Sequence, residues 1–152
     1  MRARPYRRRT DADERVQSAK TAIRTLLASR EQILDEQLRE LLSVCVWKLT
    51  EADCDHKHRT RYRSKAALTA PLRELRHEHV FERSDLVERM LANAKDSDRI
   101  ADSALACTVT REEHVRLTNV SREQPGLQGW ARYSAAGVEV VDTLENIEHR
   151  TA

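Results

Sequence analysis

Leu34, Leu38, Leu41, Leu42, Cys45 and Leu49 fall at i, i+4, i+7, i+8, i+11 and i+15. That spacing puts all six on one face of a 3.6-residue helix and on both faces of a strand, so the stretch must be helical. Val46 and Trp47 widen the stripe, while Asp35, Glu36, Arg39 and Glu40 supply the wet face. Cys45 lies on the stripe and reads as a small core residue rather than a nucleophile. Only three Gly and three Pro occur in 152 residues, too few for the turns of a sandwich or barrel. The expected fold is therefore mainly α with a minor β component. It comprises a single-domain helical bundle-like core, a short basic strand and a C-terminal hairpin. The length suits one domain, expected over 11–142, between a flexible basic arm at 1–10 and a polar tail at 143–152. The 33–49 helix also offers an apolar face to a second copy or another protein, so a non-enzymatic interaction module is one functional alternative.

Helix-start signals recur along the chain. Asp11 with Glu14, Ser29 with Gln32, and Thr110 with Glu113 each have capping-box spacing. Helices are expected at 84–95, 97–106 and 110–119, and Trp130, Tyr133, Gly137, Val138, Val140 and Val141 suggest a hairpin over 130–141. Three helices followed by a hairpin have the order of a winged helix-turn-helix. Cys107-Thr108-Val109 would be the turn, and the recognition helix would present Arg111, Glu112, His114, Arg116 and Asn119. Glu112 and Glu113 on the same helix oppose contact with phosphates.

The net charge of +2 hides an uneven distribution. Arg2, Arg4, Arg7, Arg8 and Arg9 stand in the first ten residues with no acid. Without them, 22 basic residues face 25 acidic ones. A basic arm on an acidic body is a pattern of polyanion binders. Periodicity then switches at 56–65, where Lys57, Arg59, Arg61, Arg63 and Lys65 alternate with His56, His58, Thr60, Tyr62 and Ser64. On a strand the five cations would share one face and repeat about every 6.6 Å, near the spacing of phosphates along a nucleic acid. Tyr62 adds a ring on which a base can stack. The leading expectation is thus a small cytoplasmic protein that binds DNA or RNA through Arg7, Arg8, Arg9, Lys57, Arg59, Arg61, Tyr62, Arg63 and Lys65. No apolar run approaches the roughly 18 residues of a membrane span. Three cysteines at irregular spacing make no disulfide framework.

Glu-His-Val occurs twice, at Glu78-His79-Val80 and Glu113-His114-Val115. A carboxylate beside an imidazole suits a metal or a general base. Cys54, His56 and His58, with His77, His79, Cys107 and His114 further on, are zinc-type donors, but the second half lacks paired ligand spacing. Glu78-His79, then Asn93, then His114, resembles the HNH endonuclease signature. The resemblance implies a divalent metal held by Glu78 and His114, with His79 as the base that activates water and Asn93 as its orienter. It covers some 37 residues, and the family sets its Asn between two strands of a hairpin. A metal-dependent HNH-like endonuclease is the enzymatic alternative.

Overall fold

The computed structural model describes residues 5–144; Arg2, Arg4 and most of the expected tail lie outside them. The protein is mainly helical with a small mixed sheet. Where the sequence reads as one domain over 11–142, the chain groups into two compact units. A helical unit comprises residues 9–53 and 81–105, and a sheet unit takes the other described residues, 5–8, 54–80 and 106–144.

The helical unit is built from α1 (Ala12–Ala28), α2 (Asp35–Glu51), α3 (Arg83–Ala92) and α4 (Ser97–Ala101). Its core joins Ile23 and Leu27 of α1, Leu38, Leu42 and Val46 of α2, Leu86 and Met90 of α3, and Ile100 of α4. The stripe read from the sequence is thus the buried face of α2, although Leu34 and Leu41 at its margin are exposed. Cys45 is half-buried, and burial pushes its thiol above the usual range. Arg24 and Lys20 of α1 reach Asp98 and Asp102, both at 2.7 Å. Asp11 does not cap α1. Its carboxylate accepts from Arg9 and Arg15, each at 2.8 Å, and those two cations hold it well below the ordinary carboxylate range.

The sheet unit carries β1 (Tyr62–Ser64), β2 (Leu75–His79), β3 (Ala106–Thr110) and β4 (Val140–Asp142) in the order β2-β3-β1-β4. β3 runs antiparallel to β2 and parallel to β1, and β4 pairs antiparallel with β1. Ala106, Cys107, Thr108 and Val109 are all buried, so both faces of β3 are covered. α5 (Arg111–Glu123) packs against β2 and β3, and α6 (Trp130–Ala135) packs against α5.

The fold departs from four expectations. The helix expected over 97–106 ends at Ala101, and Cys107-Thr108-Val109 is the middle of a strand rather than a turn. The winged helix-turn-helix order is therefore absent. β-branched Thr108, Val109 and Thr110 favour extended backbone, and Thr60 Oγ1 lies 2.7 Å from Thr108 Oγ1. The 130–141 hairpin is instead α6 followed by β4. Trp130 and Tyr133 are one helical turn apart, and Gly137 at φ 66° ends the helix, with Val138 N–H donating to the Tyr133 carbonyl and Gly137 N–H to that of Ser134. That pair of bonds is a Schellman stop. In the basic run only 62–64 are extended. Finally, the arm is held near its end: Tyr6 is buried and Arg8 bridges to Cys54.

Candidate functional site

Within the sheet unit, two residues the sequence singled out meet. Side chains alternate along β2, so Glu78 projects from the face that α5 covers, opposite Cys107 in the register. The start of α5 is fixed by a capping box. Thr110 Oγ1 accepts from Glu113 N–H at 3.2 Å, and Glu113 Oε2 accepts from Thr110 N–H at 2.8 Å. The same Oε2 accepts from the Ser64 hydroxyl at 2.5 Å, which ties α5 to β1. This registration brings His114 onto Glu78, with Nδ1–H donating to Oε2 at 2.5 Å.

Glu78 is anchored from behind. Its Oε1 accepts from Arg132 Nη2 at 3.1 Å, and Arg132 is only 1% exposed. The same Nη2 donates to the His79 carbonyl at 2.5 Å, and Nη1 donates to Ser121 Oγ at 3.2 Å. Both carboxylate oxygens are therefore committed, one to a buried cation and one to an imidazole. Beneath them, burial pushes the Cys107 thiol up strongly, helped by Glu113 and Glu78, and burial likewise raises the Tyr133 hydroxyl. Cys107 stays a neutral thiol, not a nucleophile. The His114 side chain is 44% exposed, so what the arrangement presents outward is an imidazole oriented through Nδ1.

Of the other residues of the HNH resemblance, His79 does not join it. The His79 ring projects from the opposite face of β2, edge to face with His77 at 5.4 Å. Asn93 ends α3 in the helical unit and donates its amide to Asp96 at 2.8 Å. The donors at this point are one carboxylate oxygen and one imidazole nitrogen beside a guanidinium. Among the described residues no three His, Cys, Asp or Glu side chains group as a metal-ligand set. The metal implied by the resemblance does not fit these residues, and the zinc-type set is likewise not assembled. His56 and His58 pack edge to face at 5.4 Å, and His77 Nδ1 bonds the Lys57 carbonyl at 2.7 Å.

The alternating cations are not one wet face. Arg63 is 2% exposed and donates Nε–H to the Thr60 carbonyl at 3.1 Å, which removes it from any phosphate-tracking role. Extension over three residues turns its side chain into the unit instead of outward. Arg59 pairs with Asp55 at 3.0 Å, Arg61 forks onto Asp142 at 2.6 Å, and Lys65 meets Glu139 at 3.1 Å. Lys57, Arg7 and Arg8 are exposed, and Arg9 pairs with Asp11.

Tyr62 lines a groove of about 740 Å³ with Lys65, Trp130, Tyr133, Val138 and Val140. The Tyr62 and Trp130 ring centroids lie 5.1 Å apart, and Trp130 stands 5.2 Å from Tyr133. Trp130 is 37% exposed, a large apolar ring left open at the groove. Sequence reasoning missed the roles of Trp130, Tyr133 and Arg132. The signal was present as Trp and Tyr one turn apart ahead of a helix-stopping Gly. No protein-family model, curated protein or solved structure matches the chain.

Proposed function

We propose that the protein binds single-stranded nucleic acid through its sheet unit, seating an unpaired base in the groove against the exposed Trp130 ring, which Tyr62 supports edge to face. The observation that carries this reading is the groove itself: two aromatic rings in edge-to-face contact at 5.1 Å, one of them open to solvent, with Lys65 beside them. Stacking on an aromatic ring is worth about 1–3 kcal/mol per base and tolerates any base, since each has a π-face. Glu139 and Asp142 also line the groove, so it repels a phosphate and favours the base over the backbone. Phosphates fall instead to Lys57, Arg59 and Lys65, with Arg7 and Arg8. The ion pairs of Arg59 and Lys65 do not forbid this. Pairs as exposed as Lys65–Glu139, with side chains 62% and 72% accessible, are worth about 0–1 kcal/mol and yield to a competing anion.

The test is a fluorescence-anisotropy titration of labelled single- and double-stranded DNA and RNA at several salt concentrations. Tyr62→Ala and Trp130→Ala should each weaken single-strand binding about 5- to 150-fold and duplex binding little. Lys57→Gln and Arg59→Gln should weaken all sequences alike, each lowering the salt slope by roughly one unit for the phosphate it no longer neutralises. Absence of binding at low salt removes the reading.

A further inference from the structure

We infer that His114, oriented by Glu78, is a general base that cleaves RNA by activating the 2′-hydroxyl beside the scissile phosphate. Three observations lead there. First, Nδ1 of His114 is engaged by Glu78 at 2.5 Å, which leaves Nε2 as the nitrogen available to a substrate on a half-exposed ring. A base held through one nitrogen by a carboxylate has its ring orientation fixed and presents the other nitrogen outward as the acceptor. Second, Glu78 is itself locked, because Arg132 takes its other oxygen and is buried. A buried Arg–Glu pair adds little stability over apolar packing, so its physical consequence here is a fixed carboxylate rotamer. Third, α6 serves both places: Trp130 and Tyr133 line the groove, and Arg132 between them holds Glu78. The groove and the dyad are thus joined through α6, with Trp130 on its groove side and Arg132 on the side that meets Glu78.

The chemistry follows from the donor set. With two protein donors and a guanidinium at this point, the nucleophile is best supplied by the substrate, and RNA carries one. His114 Nε2 accepts the 2′-hydroxyl proton as the 2′-oxygen forms a bond to phosphorus. The P–O5′ bond breaks and the 5′-oxygen leaves with the electron pair. The imidazolium returns its proton to that oxygen directly or through water. The products are a 2′,3′-cyclic phosphate and a 5′-hydroxyl, with no oxidant or co-reactant consumed. His114 is the catalytic residue, and Glu78 and Arg132 are positioning residues.

This inference rests on the nucleic-acid reading, so the test measures binding and cleavage separately. The full chain is incubated in EDTA with a DNA oligonucleotide carrying one ribonucleotide, with an all-DNA control, and products are identified by mass spectrometry. Cleavage at the single ribonucleotide to a cyclic phosphate is expected, with the all-DNA strand intact. His114→Ala should lower the rate by about 10²–10⁴-fold while anisotropy shows unchanged binding, and added imidazole should restore part of it. Glu78→Gln should lower kcat with KM unchanged. Binding without cleavage overturns the inference and leaves the binding reading standing, whereas no binding removes both. Cleavage that survives His114→Ala, or that EDTA abolishes, also overturns it.

Discussion

Replacing Arg132 by Met keeps side-chain length while removing the cation that three groups depend on. In its absence the Glu78 carboxylate, 11% exposed, keeps only His114, and the His79 carbonyl loses a 2.5 Å bond. Breaking a buried ion pair from one side costs about 3–5 kcal/mol. Arg132 Nε is buried without a hydrogen-bond partner, and the substitution relieves that penalty, which moves the expectation toward about 3 kcal/mol. The assay is urea unfolding in a Trp47→Phe background, so that Trp130 alone reports on the sheet unit. With a urea dependence of about 2 kcal/mol per molar, the midpoint should fall by about 1.5 M. Removing both charges, with Glu78→Met and Arg132→Met together, should recover part of the loss, because no uncompensated carboxylate is left. A shift of the single variant below about 0.5 M, or a double variant no better than the single, would refute the view that this pair anchors the dyad.

Three further outcomes are expected. Leu42 is fully buried in α2, so Leu42→Asp should destabilise the helical unit by more than about 4 kcal/mol; helical circular dichroism retained with an unchanged midpoint would contradict this. Thr110→Ala removes the side-chain half of the α5 cap and should cost about 1 kcal/mol in the Trp130 assay, with Thr110→Ser retaining most of it. His58 is pushed down to about 4 from an ordinary 6.5, first by burial and then by Lys57, His56, His77 and Arg76. Its neutral form is the one the fold accommodates, so its contribution to stability is full above pH 6.5 and is lost as pH falls from 6.5 toward 4; His58→Gln should flatten the stability profile over that window.

The parts of this fold that were legible in the sequence are those in which local pattern and tertiary burial agree. The α2 stripe is such a case: Leu38, Leu42 and Leu49 recur at helical spacing and are buried. The Thr110–Glu113 box is another, since both its bonds are made within four residues. The repeated Glu-His-Val pointed to Glu78 and His114, and strand pairing plus the α5 cap bring them together across 36 residues. What failed depended on partners far along the chain. Ala106–Val109 is too short an apolar run to tell strand from helix by period, and its extension comes from lying between β1 and β2. Alternation at 57–65 cannot say how far the strand runs, and the burial of Arg63 rests on a fold-dependent backbone acceptor at Thr60. Arg132 was hidden for the same reason. A lone Arg between Trp130 and Tyr133 reads as a solvated residue until Glu78, Ser121 and the His79 carbonyl converge on it.

The most direct measurement uses the Trp47→Phe protein, in which Trp130 is the remaining tryptophan. Its emission is followed at low salt as an unlabelled single-stranded oligonucleotide is added, with duplex of the same sequence as control. A base stacked on Trp130 beside Tyr62 should quench Trp130 saturably with the single strand, little with the duplex, and weakly in Tyr62→Ala. Emission that stays unchanged while anisotropy reports binding would place the nucleic acid elsewhere on the protein and contradict the groove as its site.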